Sequence, residues 1–169
     1  AEATGAWLDH ERLGYNFRIS ELQAAVGVGQ MRRIESLLAR RSLVAKQYIK
    51  RLSALTELVL PTIDRESEMS WFVFVPRLGV GYTREDRDEI LHGLAVHDIG
   101  AGDYFPCIHM LPFVRDRLGT GPGMFPIAES ISNRTLALPF HGRLTEREID
   151  IVVQTLELLI RQASLRTRA

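Results

Sequence analysis

Apolar residues recur at helical spacing through the first third of the chain. Ile34, Leu38, Ala45, Ile49 and Leu52 stand three or four residues apart, or multiples of that, and predict a long helix, straight or bent, over 19–55. Ser20 is placed to cap its start, ahead of Leu22, Ala25 and Val26. Gly27 and Gly29 interrupt the pattern; each costs about 1 kcal/mol relative to Ala in a helix interior. They allow either the close approach of another helix or subunit, or a kink. The pattern then changes. Leu58–Pro61 is a short edge-like piece, and Met69–Leu78 is rich in aromatic and β-branched residues and reads as a strand. Pro76 suggests that the far end of this strand lies at an edge or exit. Ile99–Pro106 reads as a second strand.

Capping signals mark the remaining helices. Thr83 with Asp86 opens one whose inner face is Ile90, Leu91 and Leu94. Pro126 sits near the first position of a shorter helix over 125–135. Thr145 and Glu148 form a capping box before a clean stripe of Ile149, Val152, Val153, Leu156, Leu159 and Ile160. The organisation expected is a lead-in at 1–18, a connecting helix at 19–55, a small α+β domain at 56–162 and a frayed tail at 163–169. No repeat or low-complexity tract is present.

Composition narrows the function classes. The chain has 169 residues, an apolar fraction of 46% and a formal net charge of zero, which suits a globular domain and gives no general pull toward nucleic acid or membrane. The basic residues Arg32, Arg33, Arg40, Arg41, Lys46, Lys50 and Arg51 are spread around the long helix rather than gathered on one face, so they read as a solvated surface. The single cysteine, Cys107, excludes an internal disulfide and fits a reducing cytoplasm. No apolar run is long enough to span a membrane. The opening AEATGAWLDHE has neither the basic end nor the apolar stretch of a signal peptide. It lacks an initiating Met and reads as a cut into a longer protein.

Candidate chemistry lies in two places. In GYNFRISELQAAVGVGQ, from Gly14 to Gln30, a flexible glycine, the Asn16 amide and the planar donor fork of Arg18 precede a helix start, an arrangement suited to a phosphate or carboxylate. A plain turn, with Arg18 paired to Glu21, is the alternative. In DYFPCIH, strand alternation sets Asp103 and Phe105 on one side and Tyr104 on the other. Asp103, Cys107 and His109 are ligand types that suit a divalent ion, but without a second Cys/His cluster they carry no metal assignment. Cys107, beside Pro106 in an apolar run, reads as a small buried thiol.

The order of these blocks resembles a known family. GYNFRISELQAAVGVGQMRRIESLLARR, DIGAGDYFPCIHMLPF and FPIAESISNRTLALPFHGRLTEREIDIVVQTLELL are similar, in this order, to the DegT/DnrJ/StrS sugar aminotransferases, from about Leu13 to about Ile160. The resemblance implies the small C-terminal domain of a fold-type-I pyridoxal-phosphate enzyme: a long N-terminal helix, a small and mostly antiparallel sheet, and covering helices. It implies a homodimer in which Asn16 meets the phosphate of the cofactor in the neighbouring subunit, with Arg18 a candidate for the same phosphate or for a substrate anion. It implies that Tyr104 and His109 line a nucleotide-sugar site. Many family members carry a histidine where this chain has Asp103, so that role does not transfer. The family's Schiff-base lysine lies upstream of the Gly-Tyr-Asn block. The only lysines here, Lys46 and Lys50, fall on the long helix. The implied parent moves an amino group from an amino acid to a keto-sugar nucleotide, and this segment alone is expected to be inactive. Two other readings stand beside it: a sugar dehydratase of the same family, in which a histidine replaces the lysine, and a non-catalytic oligomerisation module.

Overall fold

A computed structural model describes residues 18–63 and 66–167. Six helices and a small antiparallel sheet follow in the order α1 (Glu21–Met31), α2 (Ile34–Leu52), β1 (Leu58–Val59), β2 (Arg77–Leu78), α3 (Arg84–Val96), α4 (Pro112–Leu118), α5 (Pro126–Ser132) and α6 (Glu146–Thr167), with a 3₁₀ turn at Ile108–Met110 before α4. The expected α+β character holds.

The predicted long helix is divided. Ser20 and Gln23 form a full capping box at the start of α1, so the expected N-cap is correct. The break falls at Arg32–Arg33, where Arg33 leaves helical geometry at φ −116° and ψ 8°, and not at Gly27 or Gly29. Both glycines sit inside α1 with no atom within 4 Å of where a Cβ would stand, so among the described residues nothing approaches them closely. No residue of α1 is buried. Leu22 and Val26 are 83% and 66% exposed.

From α2 onward the chain closes around one core. Val44, Ala45, Tyr48 and Leu52 of α2 are buried. They meet Ile90 and Leu94 of α3 and Ile149, Val152, Leu156 and Ile160 of α6 in one apolar cluster. Both α2 and α3 pack on α6. Arg51 ties α2 to α6 through Asp150 at 2.5 Å. Helix α6 continues to Thr167, into the stretch expected as the tail.

The strands are shorter than predicted, and proline explains part of this. Residues 74–78 run antiparallel to 134–138: the Leu138 and Leu136 amides donate to the Phe74 and Pro76 carbonyls, and the Leu78 amide donates to the Arg134 carbonyl. Pro76 lies in the middle of this ladder and is fully buried, not at an edge or exit. Lacking an N–H, it cannot return a bond to Leu136, and regular strand survives only at Arg77–Leu78. That strand pairs with β1 in the register Leu58↔Leu78 and Val59↔Arg77. The predicted strand at Ile99–Pro106 reduces to a single bridge, Gly102↔Ala137. The result is a ragged sheet whose inner side presents Phe74, Leu78, Leu136 and Leu138 to the helices. Its outer lane leads directly into Tyr104.

Candidate functional site

The segment 102–110 hangs from the last lane of the sheet, and α5 with its flanking residues holds it. At its start, the Gly102 amide and carbonyl both bond to Ala137, at 3.1 and 2.7 Å. The Tyr104 and Phe105 carbonyls are held by hydroxyls. Thr135 Oγ1 donates to the Tyr104 carbonyl at 2.7 Å, and Ser132 Oγ donates to the Phe105 carbonyl at 2.6 Å. The Tyr104–Phe105 peptide bond is cis, and the two rings stack with centroids 4.0 Å apart. Tyr104 is half-buried and Phe105 is exposed.

His109 closes the far end. It is buried, with Nε2 2.9 Å from Glu129 Oε1 of α5, and its ring lies 4.8 Å from that of Phe125. Its carbonyl accepts from Thr120 Oγ1 at 2.7 Å. Glu129 also gathers the loop ahead of its helix, accepting the Gly123 amide at 2.9 Å and the Phe125 amide at 3.2 Å. Gly123 at φ 84° and Gly119 at φ 63° supply the left-handed backbone this loop needs. Bonds from the Gly123 and Phe125 amides, then from His109, hold the Glu129 carboxyl below the usual carboxylate range.

Other residues fix α5 itself. The guanidinium of Arg134 is buried, donating from Nη1 to the Leu78 carbonyl at 2.9 Å and from Nε to the Ser130 carbonyl at 3.0 Å. It thereby joins the end of α5 to β2.

Of the sequence-predicted site residues, Tyr104 and His109 fall on this one segment. Tyr104 is at its semi-exposed front, whereas His109 faces inward, engaged by Glu129. Arg18 stands exposed just ahead of the α1 cap and makes no ion pair with Glu21. Asn16 lies outside the described residues. Lys46 and Lys50 are both exposed on α2. Cys107 is half-buried rather than buried. Among the described residues no group of three or more His, Cys, Asp or Glu side chains is placed to hold a metal ion. No described helix is long and apolar enough to cross a membrane.

Sequence reading missed Glu129, Ser132 and Thr135. Their spacing of three along and beyond one helix carries the signal of a polar stripe, but as single residues on a short helix they look like solvated surface.

These features define the small domain of an aminotransferase-like fold, and comparison with known proteins agrees. The model of the DegT/DnrJ/EryC1/StrS aminotransferase family matches residues 2–157, and the chain belongs to that family. It is 33% identical over 88% of its length to the erythromycin biosynthesis sensory transduction protein EryC1 of Saccharopolyspora erythraea, of which it covers 39%. Among solved structures, the apo-form of the putative sugar aminotransferase Spr1654 from Streptococcus pneumoniae superposes with a TM-score of 0.83 at 22% identity, covering 99% of this chain and 42% of that one. DesV of S. venezuelae superposes with a TM-score of 0.74 at 28% identity, covering 90% of this chain and 40% of that one. Spr1654 has also been solved in PLP and PMP forms. The chain thus spans well under half the length of the relatives it matches: 38% and 39% for two curated ones.

Proposed function

We propose that this chain is the substrate-facing small domain of a pyridoxal-phosphate-dependent aminotransferase that moves an amino group from an amino acid to a nucleotide-linked keto-sugar. Family membership over residues 2–157 carries the reading. The parent's cofactor is pyridoxal 5'-phosphate, which supplies the electron sink for moving the amino group. The chemistry present fits an anion of this kind. Arg18 is exposed beside a helix start, where a guanidinium fork and free amides suit a phosphate. Asn16 would add an amide to the same loop, reaching the cofactor bound by the partner of a homodimer.

Tyr104, with the exposed Phe105 beside it, offers flat apolar surface to a sugar or nucleobase, while the phenol hydroxyl supplies a directional hydrogen bond. His109 contributes from behind this surface, holding the segment to Glu129. Lys50 is exposed and Lys46, also exposed, borders only an open cleft between α2 and the 67–71 segment; in this reading the lysine that holds the cofactor comes from elsewhere in the parent. The 169-residue segment alone is therefore inactive.

Borohydride reduction of the cofactor-loaded parent, followed by peptide mapping, tests the reading. It predicts stoichiometric label on one lysine other than Lys46 and Lys50. Label on either of those two, or no labelled lysine at all as in a dehydratase with histidine in its place, contradicts it.

A further inference from the structure

We infer that α5 is a positioning helix for the sugar-facing segment, and that Glu129, Ser132 and Thr135 are the positioning residues through which it acts. This rests on the functional reading above. Glu129 and Ser132 stand three apart on one side of α5, and Thr135 follows three residues later where the chain has entered the sheet opposite Arg77. Each bonds to a different point of one stretch of backbone and side chain: Thr135 to the Tyr104 carbonyl, Ser132 to the Phe105 carbonyl, and Glu129 to the His109 ring. The stretch 103–108 makes no backbone ladder of its own beyond Gly102, apart from the Cys107 and Ile108 carbonyls used by the following turns. Side chains of α5 therefore replace the missing strand partner.

The anchor is stiff. Arg134 bonds α5 to β2, and Arg87, buried on α3, reaches the Ser132 carbonyl at 3.5 Å. Thr135 is itself paired into the sheet opposite Arg77. A carbonyl fixed from behind restricts the direction in which the Tyr104 and Phe105 rings can point. None of these three side chains needs to touch the sugar to set its affinity.

The test uses the full-length parent with Ser132→Ala, Thr135→Val and the double variant. Thr135→Val keeps the shape and the backbone pairing while removing the donor to Tyr104. Amide exchange is followed by mass spectrometry at the hydrogen-bonded amides that bracket the segment, Gly102, Met110 and Leu111. KM and kcat are measured separately for the keto-sugar nucleotide and the amino donor.

Loss of one neutral hydrogen bond corresponds to roughly five- to tenfold. Exchange at Gly102, Met110 and Leu111 should rise by about that factor per variant and further in the double variant. KM for the keto-sugar nucleotide should rise to match, with kcat and the donor's KM unchanged, and Ser132→Thr should restore the wild-type values. Unchanged local exchange in a folded variant would overturn the clasp. Faster local exchange with both substrates' KM values moving together, or neither moving, would overturn the sugar-positioning role. If the wild-type parent turns over no keto-sugar nucleotide, the functional reading fails and the sugar role falls with it, while the exchange result still decides whether α5 holds the segment.

Discussion

Tyr48 shows how one side chain sets the inner wall of this domain. It is completely buried on α2, its ring is stacked on Phe74 at 4.9 Å, and its hydroxyl donates to the Pro139 carbonyl at 2.9 Å. Burial, with the Glu148 charge adding to it, pushes the phenol well above its ordinary pKa, so it remains a donor throughout the accessible range. Tyr48→Phe keeps the packing and strands one carbonyl in the interior. Urea unfolding should show a loss of about 1–2 kcal/mol with an unchanged slope. No loss would mean that Pro139 finds another donor. Residue types predicted the core stripes well, because burial on α3 and α6 follows helical spacing. They predicted His109 less completely, because its type suits a substrate contact and an internal pairing equally. The partner that engages it, Glu129, is twenty residues away in sequence.

At the scale of elements, capping signals were the most legible feature. Ser20, Thr83 and Thr145 each accept from the amide three residues on, as their spacing predicts. Strands were the least legible. Of the strand expected over 69–78 only Arg77–Leu78 is regular sheet, with Phe74 in an isolated bridge, because the cost of Pro76 within the ladder depends on which neighbour lies alongside, and that neighbour is sixty residues away at Leu136. The Gly119–Phe125 loop was not resolved into structure by pattern at all, because its shape comes from Glu129 collecting two amides and a histidine.

That clasp has a defined pH response. Glu129 has a lowered carboxyl pKa in the folded state, so its contribution is complete above the usual carboxylate range and is lost as pH falls through the folded value. Amide exchange at Gly123 and Phe125, corrected for intrinsic rates, should therefore stay flat near neutrality and rise in the acid region. In Glu129→Gln the acid rise should disappear and exchange should be fast at all pH values. A flat profile in the wild type would show that the carboxylate does not hold the loop.

For the whole molecule, the three sequence blocks fall into distinct structural roles. The first leads into α1, which buries nothing among the described residues; the second forms the Tyr104–His109 segment; the third supplies α5, the sheet lane at 134–138 and most of α6. The last two come together at the candidate site, the end of the first meets the third only where Arg40 of α2 stands against Gly142, and Asn16 is beyond the described residues, so the cofactor side of the proposal rests on the parent. There the proposed function makes a chemical commitment: nitrogen would leave an amino acid and arrive on a sugar. The full-length parent, loaded with pyridoxal phosphate, is incubated with ¹⁵N-labelled glutamate and a panel of nucleotide-linked keto-sugars, and the products are weighed by mass spectrometry. The account predicts an amino-sugar nucleotide carrying ¹⁵N, with the matching 2-oxo acid formed in equal amount. A sugar product that has lost water and gained no nitrogen, or no product from any keto-sugar in the presence of bound cofactor, would contradict it.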